Sequence, residues 1–199
     1  MNWMDGSDAS TVAQALAGDR DAFRALVERH SRSIFRVAYR MTGNEHDAEE
    51  VVQETFLRAY RRLDKFEERS SFKTWVTRIA INCSLDFVRS RARHHDRRED
   101  VRVTEEMETL DPLDNVETQD PAPDRLVLSG EVKQKVSAAL TRLGPLERAA
   151  FVMRHLEGHS IEEISKALGL RTSAAKNNIF RAVQKLRKEL APLMSPSPR

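Results

Sequence analysis

A long acidic segment interrupts the helical pattern of this chain and divides it into two parts. Residues 96–124 contain eleven acidic and three basic residues with three prolines, and their apolar residues show little periodicity. This composition disfavours a packed core and is typical of a linker. We therefore expect a flexible acidic linker at residues 96–125, which joins two small helical domains at residues 10–95 and 126–191.

Both parts have apolar side chains at the three- and four-residue spacing of amphipathic helices, and neither alternates with period two for the length of a strand. The fold class predicted is therefore all-α. Asp19 is expected to begin a helix that Gly43 ends, and Ser160 with Glu163 forms a capping box. The predicted helices lie at about residues 10–17, 20–42, 45–63, 72–93, 126–143, 145–157, 161–167 and 172–190.

The composition excludes several classes of protein. No apolar run approaches the roughly 20 residues of a membrane helix, and the N-terminus lacks the features of a signal peptide, so we expect a cytoplasmic protein without membrane insertion. A single cysteine, Cys83, excludes a disulfide framework and a cysteine-based zinc site. The histidines show no ligand spacing and are expected at the surface. Because no nucleophile motif, phosphate loop or carboxylate pair is visible, we predict no catalytic residues, no metal and no cofactor.

The C-terminal part ends in a short helix, a turn at Gly169 and a long basic helix, which is the order of a helix-turn-helix. Residues 170–188 contain six basic residues and no acidic one. A helix-turn-helix places the start of its second helix in the major groove, where Arg and Asn read base edges and Lys, Ser and Thr contact phosphates. The predicted DNA-binding residues are Arg171, Thr172, Ser173, Lys176, Asn177, Phe180 and Arg181.

Four stretches carry a family resemblance. Residues 143–151 (LGPLERAAF) and 159–170 (HSIEEISKALGL) resemble the fourth domain of a bacterial sigma factor. Residues 47–59 (DAEEVVQETFLRA) resemble the polymerase-binding helix of sigma domain two, and residues 72–82 (FKTWVTRIAIN) resemble its promoter-melting segment. In this order, with a short linker and no third domain, they resemble the extracytoplasmic-function (ECF) subfamily of the sigma-70 family.

The resemblance implies that the chain binds core RNA polymerase. The partner of domain two would be the clamp helices of the largest subunit, and that of domain four the flap of the second-largest subunit. Helical spacing predicts an acidic face with an apolar edge on the third helix, which suits a basic coiled coil. The candidate polymerase-binding residues are Asp47, Glu50, Gln53, Glu54 and Leu57.

The resemblance also implies that the fourth domain reads the −35 element as duplex, while domain two captures the melted −10 strand. The segment between the third and fourth helices has the aromatic and hydroxyl side chains that hold a flipped base. For Trp75 and Asn82, core packing remains an alternative. The candidate −10 residues are Phe66, Arg69, Ser70, Ser71, Phe72, Trp75, Arg78, Asn82 and Arg89.

We therefore predict a sigma factor that directs promoter-specific initiation and is held inactive by an anti-sigma factor. The two domains are expected to close on one another, or around such an inhibitor, and hide their DNA-binding faces. A helix-turn-helix regulator that acts without core polymerase, and a helical adaptor that binds only proteins, remain alternatives. The last helix begins Ser-Ala-Ala-Lys-Asn-Asn instead of the Gly-Thr-Val-Lys-Ser-Arg common in the family, which leaves the −35 preference open.

Overall fold

The computed structural model describes residues 6–67, 70–96 and 130–194. Within these residues every regular element is helical, which confirms the all-α prediction. Residues 97–129 and the predicted −10 residue Arg69 lie outside the described residues. The first of these ranges contains all of the predicted linker except its first residue, together with the predicted start of the following helix. The elements are α1 (Gly6–Leu16), α2 (Arg20–Thr42), α3 (Glu45–Arg61), a 3-10 turn (Leu63–Lys65), α4 (Phe72–Asp96), α5 (Gly130–Thr141), α6 (Pro145–Phe151), a π turn (Val152–Leu156), α7 (Ile161–Leu168) and α8 (Thr172–Met194).

The predicted ends of α2 and α7 are confirmed. The Asp19 carboxylate accepts hydrogen bonds from the first backbone N–H groups of α2, and Gly43 ends that helix with a φ of 86°. At α7, the Ser160 hydroxyl accepts from the Glu163 N–H, while the Glu163 carboxylate accepts from the Ser160 N–H. Gly169 ends α7 with a φ of 66°, a left-handed conformation that glycine adopts without strain. Local capping chemistry therefore fixes these boundaries.

Two predictions of local structure were wrong, and a third is confirmed in its extent. Helix α1 begins at Gly6 and not near residue 10, whereas the helix predicted over residues 145–157 continues to Leu156 but widens into the π turn after Phe151. The Glu157 N–H donates to the Val152 carbonyl at 3.1 Å, a five-residue step that apolar spacing does not reveal. His30 and His159 are buried and not at the surface, and each pairs with a carboxylate there, of Asp8 and Glu163 respectively.

Helices α1 to α4 form the first bundle, in which α2 packs against α1, α3 and α4. In the second part α8 packs against α5, α6 and α7. A small aliphatic cluster joins α5 to α8 and includes Leu140, Leu143 and Leu186. The second part is therefore a compact support for the exposed side of α8.

The two parts do not stand apart. Helix α5 packs against α2, and both α6 and α7 pack against α4. One continuous apolar core contains Ile34 and Val76 from the first part with Ala149, Ala150 and Met153 from the second. The described residues therefore form a closed arrangement, in which the predicted domains two and four share a core across their boundary. We call this arrangement the closed state.

Candidate polymerase and promoter interfaces

Helix α3 presents an exposed stripe of four residues spaced three, four and three apart, the spacing that places side chains on one helix face. We call it the α3 stripe. Its apolar members are large and accessible, since Leu57 is 44% and Tyr60 50% exposed. Tyr60 also makes an edge contact with Phe23 of α2, with ring centroids 4.9 Å apart. The stripe consists of Glu50, Gln53, Leu57 and Tyr60.

Three of the predicted polymerase-binding residues lie on this stripe, and two do not. Asp47 is only 5% exposed, because its carboxylate accepts a hydrogen bond from Asn44 and pairs with Arg91. The prediction that Asp47 lies on the polar outer face was therefore wrong. Glu54 lies at the edge of the stripe, where it pairs with Arg58 at 2.6 Å.

Arg58 connects α3 to α4 beside the stripe. Its guanidinium donates to Asp86 of α4 at 2.9 Å as well as to Glu54. The hydrogen bonds to Asp86 and Glu54 raise the pKa of Arg58 above its usual value. Cys83 lies nearby and is buried, which raises the pKa of its thiol. These contacts hold α3 against α4, so that the stripe is presented on a rigid support.

The predicted −10 segment has an aromatic cluster at the start of α4. Phe66, Phe72 and Trp75 lie with ring centroids 5.3 to 5.9 Å apart, and His30 of α2 lies 5.4 Å from Phe72. Because Phe72 is only 2% exposed, its side chain packs in the core and offers no surface to DNA, contrary to the prediction. Phe66 and Trp75 are half-buried against the same core, which fits the packing alternative for Trp75.

The polar −10 candidates have several different environments. The Ser71 hydroxyl accepts from the Thr74 N–H at 3.1 Å, so it caps α4, while Ser70 is half-buried before it. Asn82 and Arg89 are exposed further along α4. Arg78 crosses to the second part of the chain, where it pairs with Glu163 of α7 at 2.5 Å. The structure therefore brings Arg78 to domain four instead of leaving it open to solvent.

The seven predicted residues of the second helix all lie on an exposed face of α8 or directly before it. Phe180 is 57% exposed, which is unusual for a large aromatic side chain. The fully buried Ala175 and Ala182 anchor the opposite side of the helix. Asn178 differs from Asn177, since its amide donates to the Ala174 carbonyl at 2.8 Å within the helix. The helix-turn-helix thus presents a basic surface with one exposed aromatic side chain.

Sequence reasoning missed the charged contacts between the two parts. Arg148 is buried, and it donates to the carbonyls of Thr141 and Leu143 and to that of Met41 at the end of α2. Burial lowers the pKa of Arg148. Arg40 of α2 pairs at 3.1 Å with Glu157, whose pKa burial raises. No signal in the sequence separates these charged residues from those of a solvated helix face.

Glu163 is the centre of a second group of charges. One carboxylate oxygen accepts from the Ser160 N–H at 2.9 Å, and the other accepts from Arg78. Burial alone would raise the pKa of Glu163. The hydrogen bond from the Ser160 N–H and the positive charges of His159 and Arg78 together lower this pKa by more than burial raises it, so the net shift is downward. Burial also lowers the pKa of His159. Glu163 is therefore a carboxylate that is fixed in position and faces Arg78.

The described part of the chain combines a basic helix-turn-helix with a helical bundle that presents an acidic and apolar stripe. This combination is typical of DNA-binding transcription proteins. Among the described residues, none of the helices is both long and apolar enough to span a membrane, and no group of side chains offers a metal site. Residues 26–94 match the family model of Sigma-70 region 2, and residues 133–186 match that of Sigma-70 region 4. The chain belongs to the ECF sigma factors of the sigma-70 family.

Similar proteins agree with this assignment along almost the whole chain. The chain is 36% identical to the ECF RNA polymerase sigma factor SigE of Mycolicibacterium smegmatis, over 96% of this chain and 72% of the relative. It is 31% identical to the ECF RNA polymerase sigma factor SigW of Bacillus subtilis, over 92% of this chain and 96% of the relative. The structure of CnrH in complex with the cytosolic domain of CnrY aligns with a TM-score of 0.59 and 27% identity, covering 95% of this chain and 99% of that one.

Proposed function

We propose that this chain binds core RNA polymerase through the α3 stripe and directs it to a set of promoters. The exposed side of α8 would read the −35 element as duplex. The start of α4 would hold the melted −10 strand. The polymerase forms the phosphodiester bonds, while this chain supplies the position on DNA and the separation of the strands. Core polymerase and promoter DNA are the binding partners in this proposal. Because both are found in the bacterial cytoplasm, we place the protein there.

The α3 stripe is the observation that best supports the proposal. Exposed apolar side chains that lie side by side and are rimmed by polar residues are a feature of protein–protein interaction sites. Leu57 and Tyr60 provide the apolar centre of an interface, while Glu50 and Gln53 provide a polar rim. This combination fits the coiled-coil clamp helices of the largest polymerase subunit. A regulator that acts without core polymerase would leave the stripe unused.

The second part supports the promoter half of the proposal. Exposed Arg171, Lys176 and Arg181 supply positive charge for phosphates, while Asn177 and Phe180 supply an amide for base edges and an apolar contact for a thymine methyl group. We also propose the flap of the second-largest subunit and an anti-sigma factor as partners. The complex of CnrH with CnrY shows that a protein of this fold takes a protein partner.

Run-off transcription tests the function directly. Purified core polymerase is incubated with a genomic fragment library, with and without this protein, and the new start sites are mapped. We expect discrete transcripts preceded by a shared pair of −35 and −10 sequences. If no new transcripts appear while another sigma factor activates the same core enzyme, the proposal is wrong and a regulator independent of polymerase is favoured.

A binding assay tests the stripe separately. The Leu57→Ala variant removes an accessible apolar side chain from the centre of the stripe, and we expect about tenfold weaker binding to core polymerase, which corresponds to about 1.4 kcal/mol, the cost of truncating a contributing interface residue that is not a hot spot. The matched control is Leu16→Ala, which removes an equally accessible leucine at the end of α1, outside the stripe. Equal affinities of the two variants would show that α3 is not the polymerase-binding face.

A further inference from the structure

Helix α2 carries a row of arginines that the proposed function does not use. Residues 29–43 contain four arginines and no acidic residue. The arginines are spaced three, four and four apart, which places their side chains on one face of the helix. Like charges one turn apart destabilise a helix, so a solvated face usually carries both signs. A row of one sign therefore favours a negatively charged partner. This α2 arginine row consists of Arg29, Arg32, Arg36 and Arg40.

The two ends of the row are paired within the chain, whereas its middle is not. Arg29 pairs with a carboxylate of α1, and Arg40 pairs with Glu157 at 3.1 Å. Arg32 and Arg36 are exposed, and neither donates a hydrogen bond to a carboxylate within the part of the chain that the structure describes. The middle of the row is therefore the part that offers its charge to a partner.

The first turn of the row adjoins the aromatic cluster at the start of α4. His30, which directly follows Arg29, lies with its ring centroid 5.4 Å from that of Phe72. The Phe72 ring in turn lies 5.9 Å from Phe66 and 5.6 Å from Trp75. Aligned cations beside aromatic rings are typical of sites for single-stranded nucleic acid, in which the rings stack on bases and the cations follow the backbone.

Lys73 extends the basic surface from α2 onto α4. It directly follows Phe72 and is exposed. Burial raises the pKa of Glu157, whereas the nearby charges of Arg40, Lys73 and Arg36 act in the opposite direction. Lys73 and the second half of the row therefore lie close to the same carboxylate, although they belong to different helices. The three cations leave this surface positive, because only one carboxylate lies among them.

This surface is accessible in the closed state. Arg32, Arg36 and Lys73 are exposed there, as is the basic side of α8. The expectation that closure hides the DNA-binding faces is therefore wrong for the helix-turn-helix. The row also lies apart from the α3 stripe, since the stripe belongs to another helix and its members are acidic, polar or apolar.

We infer that the α2 arginine row is a second strand-binding surface of domain two, in which Arg32, Arg36 and Lys73 bind the phosphate backbone of single-stranded promoter DNA next to the −10 element. The inference rests on the proposed function, in which the start of α4 holds the melted −10 strand. The strand continues from the aromatic cluster over α2. Contacts to phosphates carry no sequence information. The row thus supplies affinity, while the start of α4 supplies the preference for bases.

The double variant Arg32→Gln/Arg36→Gln tests the charge of the row in the full chain. The probe is a fluorescein-labelled random single strand of about 12 nucleotides, long enough for one single-strand site. Its affinity is measured by fluorescence anisotropy at several salt concentrations. Each phosphate contact to a single strand contributes about 0.7 to the slope of the logarithm of affinity against the logarithm of salt concentration. We therefore expect the double variant to reduce this slope by about 1.4.

Two further variants separate charge from structure. The matched control is Arg20→Gln/Arg24→Gln, which removes two exposed charges that the helical spacing places on another face of α2, and we expect an unchanged slope. Arg32→Lys/Arg36→Lys keeps both charges and should restore the slope, which a structural role of the guanidinium groups would not allow. Urea unfolding of each variant, with an unchanged midpoint, shows that the fold is retained.

Cross-linking in the holoenzyme locates the strand directly. A photoreactive group is attached to Arg36→Cys or, as the control, to Arg24→Cys, whereas the native Cys83 is buried and is not labelled. The labelled chain is assembled with core polymerase on a promoter found by run-off transcription. We expect Arg36→Cys to cross-link to the melted strand within a few nucleotides of the −10 element, and Arg24→Cys to give no cross-link to DNA.

Each outcome has a definite consequence. If the two glutamine double variants have equal slopes, the row binds no phosphate and the inference is wrong. Cross-links from Arg36→Cys to polymerase subunits alone would assign the row to a protein partner and would also overturn the inference. If run-off transcription finds no promoter, the proposed function fails, and the salt dependence still decides separately whether the row binds single-stranded DNA.

Discussion

Arg148 offers a quantitative test of how the two parts are joined. Its buried guanidinium donates to three carbonyls, those of Thr141 at the end of α5, of Leu143 just after it, and of Met41 at the end of α2. Helix C-termini leave carbonyls without partners, and a buried cation near them is favourable for both their hydrogen bonding and the helix dipole. Replacing Arg148 with methionine retains most of the apolar volume and removes all three hydrogen bonds.

The magnitude follows from the number of hydrogen bonds. A hydrogen bond to a charged group stabilises by about 1.5 to 3 kcal/mol net, so that three lost bonds would cost roughly 4.5 to 9 kcal/mol. Removal of a buried charge returns part of this cost, since burial disfavours the guanidinium and lowers its pKa. We expect Arg148→Met to lower the free energy of unfolding by about 3 kcal/mol. Arg148→Lys should cost about 2 kcal/mol, because one ammonium group does not span three carbonyls.

Urea unfolding followed by circular dichroism measures these changes. The expected result is a lower midpoint with an unchanged m-value. The control is Arg142→Met, which changes an arginine whose side chain is 68% exposed and which pairs with Glu189, and we expect it to cost less than about 1 kcal/mol. A loss below about 1 kcal/mol for Arg148→Met would refute the reasoning, since water would then satisfy the three carbonyls as well as arginine does.

Three further predictions concern the second part of the chain. Gly169→Ala forces a φ of 66° on a residue with a Cβ, and thermal unfolding should show a loss of about 1 kcal/mol. Because burial lowers the pKa of His159 below its ordinary 6.5, the unfolded chain binds more protons below that pH, and stability should fall as the pH drops from 7.5 to 5.5. His159→Gln should reduce this fall in melting temperature, and an equal fall would contradict the assignment. Lys176→Ala should reduce the slope of the logarithm of duplex affinity against the logarithm of salt concentration by about 1, as titrations at several salt concentrations would measure.

Local features of this fold were predictable from the sequence because their causes lie within a few residues. Asp19, Gly43 and Gly169 end or begin helices through hydrogen bonds and backbone conformations that depend on their own neighbours. The same holds for the capping box of Ser160 and Glu163. The exposed side of α8 was also predictable, since apolar spacing fixes which residues of a helix are buried.

The contacts across the boundary were not predictable in this way. Arg148 and Glu157 have the charge of solvated surface residues, and only the packing of distant helices buries Arg148 and half-buries Glu157. Asp47 was placed on the outer face because helical spacing does not reveal Arg91, which follows it by 44 residues and covers it. Glu163 combines both cases, since its bond to Ser160 was predictable and its bond to Arg78 was not.

The boundary between the two parts combines buried apolar side chains with partly exposed ion pairs. A closed state favoured a hundredfold over the open state weakens the binding of every partner of the open state about a hundredfold, which corresponds to about 2.7 kcal/mol. The shared core includes Met153 and Ile164 of the second part besides Ala149 and Ala150, and the Arg78 pair is exposed enough for salt to screen it. A partner opens such a boundary only by as much as its differential affinity for the open state. The apolar contacts therefore set most of that requirement, and the ion pairs make it depend on salt.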